Sequence, residues 1–260
     1  MPQCRNIFLA ASVLTYLTGC NLEGSVSTEK DFSGHIIERN YGSFLSVVDC
    51  DSRLALVEYA EVKSGKIDHP RYKSFFLDKK IEGCSQTSSK TYSTKLSGVA
   101  YHRGHLISSD ALDDSAERIR STNVMTNIVP QLATNNRSGG AWYEIEDQIR
   151  CVRKKTHTET IKLIVGTLDD GNVQDDFFLS SHSVATPDDL FKIAFFPNGE
   201  LRSWIVSNTA VSKAKDVHSL MVSPDDIMDR MQSDYAKQFL LEHLPPNYLE
   251  HLTFKPIHCT

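Results

Sequence analysis

Apolar residues along the chain gather in short clusters, and the spacing inside each cluster predicts its element. Leu54 to Lys63 (LALVEYAEVK) is rich in β-prone residues and predicts a strand. Arg71 to Asp78 (RYKSFFLD) predicts a second, shorter extended stretch. Ser85 to Lys95 (SQTSSKTYSTK) is a Ser/Thr-rich loop. Val124 to Val129 (VMTNIV) predicts a strand that stops at Pro130, because proline has no ladder N–H to offer. From Ala141 to about Val152 the period changes: Trp142, Ile145, Ile149 and Val152 recur at i, i+3, i+7 and i+10, one face of a helix. Ile161 to Thr167 (IKLIVGT) is an apolar strand. Asp189 to Phe196 and Leu201 to Val206 flank Pro197-Asn198-Gly199-Glu200, a hairpin signal. Ser223-Pro224-Asp225-Asp226 opens a helix, with Ser as cap, Pro in the first turn and acids near the positive end. Gln232 to Leu244 is another helix, stopped by Pro245-Pro246. Strands, a hairpin and helices on one chain without internal repeats predict a single α+β domain around a central antiparallel sheet.

The first residues follow different rules. Arg5 precedes an uncharged, mostly apolar run from Ile7 to Gly19. That run is too short for the roughly 20 residues of a membrane-spanning helix and has the length of a signal-peptide core. It ends Leu17-Thr18-Gly19-Cys20, which resembles the lipobox of bacterial lipoproteins. The resemblance implies a signal peptide at 1–19, lipid on Cys20, and a polar tether through about Gly34, with 20–44 preceding a domain at 45–260. Asn21, where an Asp usually signals inner-membrane retention, implies an outer-membrane anchor facing the periplasm or the surface.

Six cysteines then divide. Cys4 is discarded with the signal and Cys20 carries lipid, leaving Cys50, Cys84, Cys151 and Cys259. An even number in an exported chain predicts two disulfides, in one of three connectivities. The favoured set is Cys50–Cys84, closing a strand-rich N-terminal unit, with Cys151–Cys259, tying the C-terminus to a helix. No C-x-x-C pair favours zinc instead.

Composition adds one constraint. The 260 residues are 40% hydrophobic and 23% charged, with a formal charge of −5. These values exclude a collagen-like or wholly disordered chain. They also argue against holding nucleic acid by bulk positive charge.

The candidate chemistry lies in Tyr101 to Asp110 (YHRGHLISSD), where two histidines, an arginine and a glycine fall within four residues. Thr126-Asn127-Ile128-Val129-Pro130-Gln131 follows, then Asn136, then Trp142, Glu146 and Arg150. This ordered set resembles the DNA/RNA non-specific endonucleases of the ββα-metal fold, whose pattern is D-R-G-H, a T-N-I-x-P-Q-like strand, an Asn, and a W-x-x-x-E-x-x-x-R helix. Arg71, Phe75 and Asp78 look like that family's R-x-x-x-F-x-x-D stretch. Ile164-Val165-Gly166-Thr167 and Val222 to Ile227 look like its later landmarks. The likeness runs from about Leu45 to Leu244.

Phosphodiester hydrolysis needs a base to activate water and positive charge to absorb the charge of the transition state. Histidine suits the base role because it titrates near neutrality, and His105 is the candidate. Gly104 beside it suits close packing. The resemblance implies a metal held directly by Asn136 and through water by Glu146. Mg²⁺, with Mn²⁺ as a substitute, fits oxygen ligands and a largely hydrated ion. An N-cap is the structural alternative for Asn136, and an ion pair with Arg150 for Glu146. Arg71, Arg103 and Arg150 are candidates for phosphate contact, because a guanidinium binds phosphate bidentately. Asn127 is a candidate to orient the site. Trp142 is expected in the core, and Arg153-Lys154-Lys155 as a solvated patch at the helix end.

Two departures from the family pattern stand out. His102 replaces its Asp. Asn136 and Trp142 lie further apart than expected, with Ser138-Gly139-Gly140 between, so Asn135 is an alternative ligand. The resemblance implies a Mg²⁺-dependent endonuclease indifferent to sequence and sugar, cutting DNA and RNA to 5′-phosphorylated products. The alternative is a catalytically degenerate lipoprotein that binds nucleic acid or a protein partner.

Overall fold

The computed structural model describes residues 30–32, 35–65, 69–93, 99–155 and 159–257, the first three by backbone alone. The expected signal peptide, Cys20 and Cys259 lie outside the described residues. Among the described residues, nine strands are β1 (Lys30–Phe32), β2 (Ile36–Asn40), β3 (Phe44–Asp49), β4 (Leu54–Lys63), β5 (Tyr101–His105), β6 (Ile128–Leu132), β7 (Thr160–Leu168), β8 (Asp189–Phe195) and β9 (Leu201–Ser207). Seven form one sheet in the order β1-β2-β3-β4-β7-β8-β9, every neighbouring pair antiparallel. β5 and β6 form a separate antiparallel ribbon. The helices are α1 (Ala116–Ser121), α2 (Ala141–Lys155), α3 (Leu179–His182), α4 (Pro224–Arg230), α5 (Asp234–His243) and α6 (Tyr248–His251). No described helix is long and apolar enough to cross a membrane.

The sheet is buried on both faces, and strand alternation divides its side chains between two cores. Ile161, Leu163 and Val165 of β7 join Trp142, Ile145 and Ile149 of α2 in one cluster, together with Leu106 and Ile107 beyond β5. Ile164 and Leu168 point the other way and pack with Ile227 of α4 and Ala236, Phe239 and Leu240 of α5. Burial on both faces explains why β7 is an almost continuous apolar run. The α2 stripe is the one its period predicts, and Trp142 is fully buried. Ser223 caps α4 and its own N–H donates in return to the Asp226 carboxylate, and Pro224 occupies the first turn.

Several local expectations change. Residues 30–44, expected in the tether, carry β1 and β2; β2 hid because only Ile36 and Ile37 mark it. Its other inward residue is Arg39, whose charge is met by Asp78 at 3.1 Å. Arg71 to Asp78 is not a strand. It makes one bridge, Phe76 to Val124, and is otherwise irregular. Val124 to Val129 is not one strand either: Met125–Asn127 is a 3-10 turn, and β6 runs through Pro130. Proline is tolerated there because each strand of a two-stranded ribbon has an open edge, where a missing N–H breaks no ladder. The Pro130 carbonyl accepts from Asn208 Nδ2 at 2.9 Å. α2 continues to Lys155.

A disulfide joins Cys50 to Cys84, as expected. Cys151 is also disulfide-bonded, and its expected partner Cys259 lies outside the described residues.

Candidate active site

The ribbon and α2 wall a polar cleft of about 430 Å³, bordered by Arg71, Phe75, His102, Arg103, His105, Asp110, Asn136, Glu146 and Arg150 among others. His105 ends β5 opposite Ile128, and Arg103 pairs with Pro130. Gly104 between them is dictated by close approach, because a Cβ there would lie 2.1 Å from Gln131 Oε1. Asn127 is fully buried. It accepts from Ile107 N at 2.8 Å and donates to the carbonyls of Ile107 at 2.9 Å and Thr122 at 2.7 Å. It therefore staples the chain just beyond His105 from within the core, without reaching the cleft.

The ring of His105 has a defined proton arrangement. Its Nε2 lies 2.9 Å from Asn123 Oδ1. Asn123 Nδ2 lies 2.7 Å from the Tyr72 carbonyl and 3.2 Å from that of Ser74. Carbonyl oxygens only accept, so the amide nitrogen must face them and the amide oxygen must face His105. The oxygen in turn requires a proton on Nε2, which leaves the lone pair on Nδ1. The ring also packs against Phe75, with centroids 5.6 Å apart. Burial pushes the imidazole down to about 4; Asn123 opposes this, while Arg71 and Arg103 add to it. The ring is neutral at pH 7.

Asp110 organises the arginines. Its Oδ1 accepts from Arg71 Nε at 3.2 Å and Nη2 at 3.0 Å, and its Oδ2 accepts from Arg150 Nη1 at 2.8 Å. Burial alone would raise this carboxyl, but the two guanidiniums outweigh it and hold it below its ordinary value. Arg150 also pairs with Asp147. Arg103 lies over the Phe75 ring, 4.0 Å from its centroid, and donates to the Ser89 carbonyl at 2.8 Å.

Glu146 does not pair with Arg150. Its Oε1 lies 3.3 Å from Lys192 Nζ. Lys192 is 1% exposed, and its ammonium sits 4.0 Å from the centre of the Trp142 ring. Alternation on β8 puts Lys192 on the same face as Leu190 and Ala194, against α2. Burial raises the Glu146 carboxyl, which Lys192 offsets only in part, and burial lowers the lysine.

Asn135 and Asn136 are neighbours with opposite surroundings. Asn135 is buried, donates to the carbonyls of Ser207 at 2.6 Å and Ala210 at 3.0 Å, and accepts from Ser212 N at 2.9 Å. Both its amide N–H groups and its oxygen are engaged inside the protein, and it does not border the cleft. Asn136 is half-buried and borders the cleft. Nor does it cap α2, whose early amides are met elsewhere: Ala141 N by Ser212 O and Tyr143 N by Asn135 O. The extra glycines build this turn. Gly139 has φ +89°, and a Cβ on Gly140 would meet the Thr134 carbonyl at 2.3 Å.

The structure thus brings Arg71, Arg103, His105, Asn136, Glu146 and Arg150 to one cleft, with His102 exposed at its border. The Arg153-Lys154-Lys155 patch divides. Arg153 is buried, pairs with Asp113 and donates to the Lys63 and Asp110 carbonyls; Lys154 and Lys155 are exposed. Asn123, Asp110 and Lys192 escaped the sequence reading. Lys192 had a signal, a lone lysine inside an apolar strand, and Asp110 closes the RGHLISSD segment. Asn123 had none. Among the described residues, the one group of three carboxylates within 4.8 Å is Asp169, Asp170 and Asp188, none of which borders this cleft.

The sequence profile of the DNA/RNA non-specific endonucleases matches residues 23–239. No curated protein sequence matches the chain. Among solved structures, a chain of the EndoG/EndoGI complex, described as showing the mechanism of EndoG inhibition, superposes with a TM-score of 0.62 at 16% identity. The match covers 85% of this chain and 92% of that one. At that identity the likeness is one of fold.

Proposed function

Because the chain belongs to the DNA/RNA non-specific endonuclease family, we propose that this cleft hydrolyses the phosphodiester backbone of DNA and RNA with His105 as general base. Asn123 holds the proton on Nε2, so Nδ1 accepts the proton of the attacking water. The depressed basicity of the ring keeps it unprotonated and available near neutral pH. Water attacks phosphorus and the 3′ oxygen leaves, giving a 5′-phosphorylated product. Arg71, Arg103 and Arg150 bind phosphate and absorb its developing charge. None of these groups reads a base edge, which accounts for indifference to sequence.

Nucleases of this family use a divalent metal. The donors present fit one: the Asn136 amide, bordering the cleft with no hydrogen bond to its side chain among the described residues, and the Glu146 carboxylate. We assign Asn136 as direct ligand and Glu146 as partner to the ion's waters, with Mg²⁺ favoured by the oxygen set and Mn²⁺ as substitute. A bound ion supplies Lewis-acid stabilisation of the phosphate and the leaving oxygen. Lys192 holds Glu146 in place from the core side.

The observation that carries this reading is His105, its tautomer set by Asn123, in one cleft with three arginines and Asn136. Digestion of plasmid and RNA tests it. Wild-type protein with Mg²⁺ degrades both, EDTA stops it, and His105→Ala lowers kcat by about 10² to 10⁴. If oxidised wild-type protein leaves both intact across pH and several divalent metals, the chain is the degenerate binder instead.

We also propose export and lipid anchoring at Cys20 in the outer membrane. The Cys50–Cys84 disulfide supports an oxidising compartment. Mass spectrometry of the mature N-terminus decides it: a lipidated Cys20 supports the anchor, and an unmodified start beyond Cys20 removes it.

A further inference from the structure

The catalytic cleft does not end at Arg150. A second open pocket of about 450 Å³ shares Arg71, Asp110 and Arg150 with it and adds His69, Asp113 and Lys154. The two meet at the ion-paired wall of Arg71, Asp110 and Arg150, beside α2. Arg150 and Lys154 stand four residues apart on that helix, so they share a face and are separated by about one turn, ~6 Å along the axis.

The charges of the second pocket do not cancel. Arg71 and Arg150 are balanced by Asp110 and Asp147, and Asp113 is buried against Arg153, which leaves Lys154 as the surplus. Lys154 is exposed and makes no ion pair among the described residues. The side chain of Arg71 is 70% exposed on the shared wall, within reach of both pockets. The second pocket therefore carries surplus positive charge, one helical turn from the candidate phosphate-binding Arg150. It has few apolar walls to hold a base.

We propose that this second pocket is a subsite for the phosphate next to the scissile one, with Lys154 as its principal cation and Arg71 shared between the two. The inference rests on the nuclease reading of the neighbouring cleft. It assigns the bound strand a direction, from the Phe75–Arg103 end across Arg71 and Arg150 to Lys154. The recognised chemistry is a polyanionic strand, not a single phosphate ester. It also explains how a chain of net charge −5 engages nucleic acid: the cations are gathered at these two pockets and not spread over the surface.

Lys154→Ala separates this subsite from the catalytic cleft. Fluorescence anisotropy of a labelled single-stranded 12-mer DNA in EDTA reads binding without cleavage, so it reports whether or not the protein is a nuclease. Wild-type affinity falls with salt, and Lys154→Ala weakens binding about three- to tenfold at low salt. The slope of log affinity against log salt drops by about 0.7, the value for one lost single-strand phosphate contact. Lys237→Ala, on α5 at the opposite face of the sheet, keeps the wild-type slope. A length series gives a second readout: wild-type KM falls between a dinucleotide and a tetranucleotide, and Lys154→Ala loses that gain. An unchanged slope in Lys154→Ala, or a length gain equal to wild type, overturns the subsite. Loss of plasmid cleavage by wild type, with binding and its Lys154 dependence intact, would instead remove the nuclease reading and leave the subsite.

Discussion

Asn123 shows how much one side chain can decide. Its amide is oriented by two backbone carbonyls, and its oxygen then dictates which nitrogen of His105 carries a proton. Asn123→Ala removes that instruction and two tethers of the 72–74 segment. Steady-state kinetics should show kcat reduced about 10- to 100-fold with a smaller change in KM, as expected for a positioning residue. Asn123→Asp keeps an acceptor but adds charge, so the acid limb of the pH profile should move upward; a limb that stays put would mean Asn123 acts only as a tether. The limb itself follows from burial. His105 is pushed down to about 4, against ~6.5 in an unfolded chain. For wild type, kcat/KM should fall only below about pH 4 to 5. The same shift has a stability consequence of definite sign. Between ~6.5 and 4 the unfolded chain binds a proton that folded His105 refuses, so this group lowers stability as pH drops through that window and contributes nothing above it. Urea unfolding of wild type and His105→Ala across pH 4 to 7 should show the variant losing less stability.

At the scale of elements, the contact that matters is β8 against α2. Lys192 is a charge on the core face of a strand, tolerable because Glu146 and the Trp142 ring meet it there. Removing one partner strands the other. Lys192→Met should lower unfolding free energy by about 2 kcal/mol, less than for a fully buried pair because the Glu146 side chain keeps 21% exposure. Lys192→Met with Glu146→Gln should recover most of it. Metal titration calorimetry should show weaker Mg²⁺ or Mn²⁺ binding in the single variant, since Glu146 loses its anchor. Unchanged affinity would confine Lys192 to folding. The helix itself was legible beforehand from its period. Its facing partner was not, because Lys192 lies 46 residues from Glu146, on β8.

For the whole molecule, the sheet depends on its edge. β2 and β3 are locked by the Cys50–Cys84 disulfide, which spans 34 residues and fastens the Ile81 region against Ile37 and Val48. A loop of that length predicts about 3 to 4 kcal/mol from the unfolded chain's lost freedom. Cys50→Ser with Cys84→Ser should lower stability by about 2 to 4 kcal/mol, read by denaturant midpoint. Reduction of wild type should lower stability by more, because it also opens the disulfide of Cys151. The cleft lies on the ribbon and α2, away from that edge, so nuclease activity measured well below the new midpoint should survive.

Local signals were enough to draw β4, β7, the β8–β9 hairpin, α2, α4 and α5: β-prone apolar runs for the strands, turn residues for the hairpin, an apolar stripe for α2, a capping sequence for α4 and a proline stop for α5. The spacing of His105, Asn136, Glu146 and Arg150 also carried the family likeness, since those residues recur in a fixed order along the chain. Polar partners left no such record. β2 was missed because its inward residues include Arg39, and β6 was cut short at a proline that an open ribbon edge accepts. Which of Asn135 and Asn136 borders the cleft, the pairing of Arg150 with Asp110 and of Glu146 with Lys192, and the tautomer of His105 emerged only in three dimensions. Each depends on atoms within about 3 Å that lie 18 to 77 residues apart in sequence. A hydrogen bond is satisfied by position and not by pattern, so the chain's own order specifies the face and the fold specifies the partner.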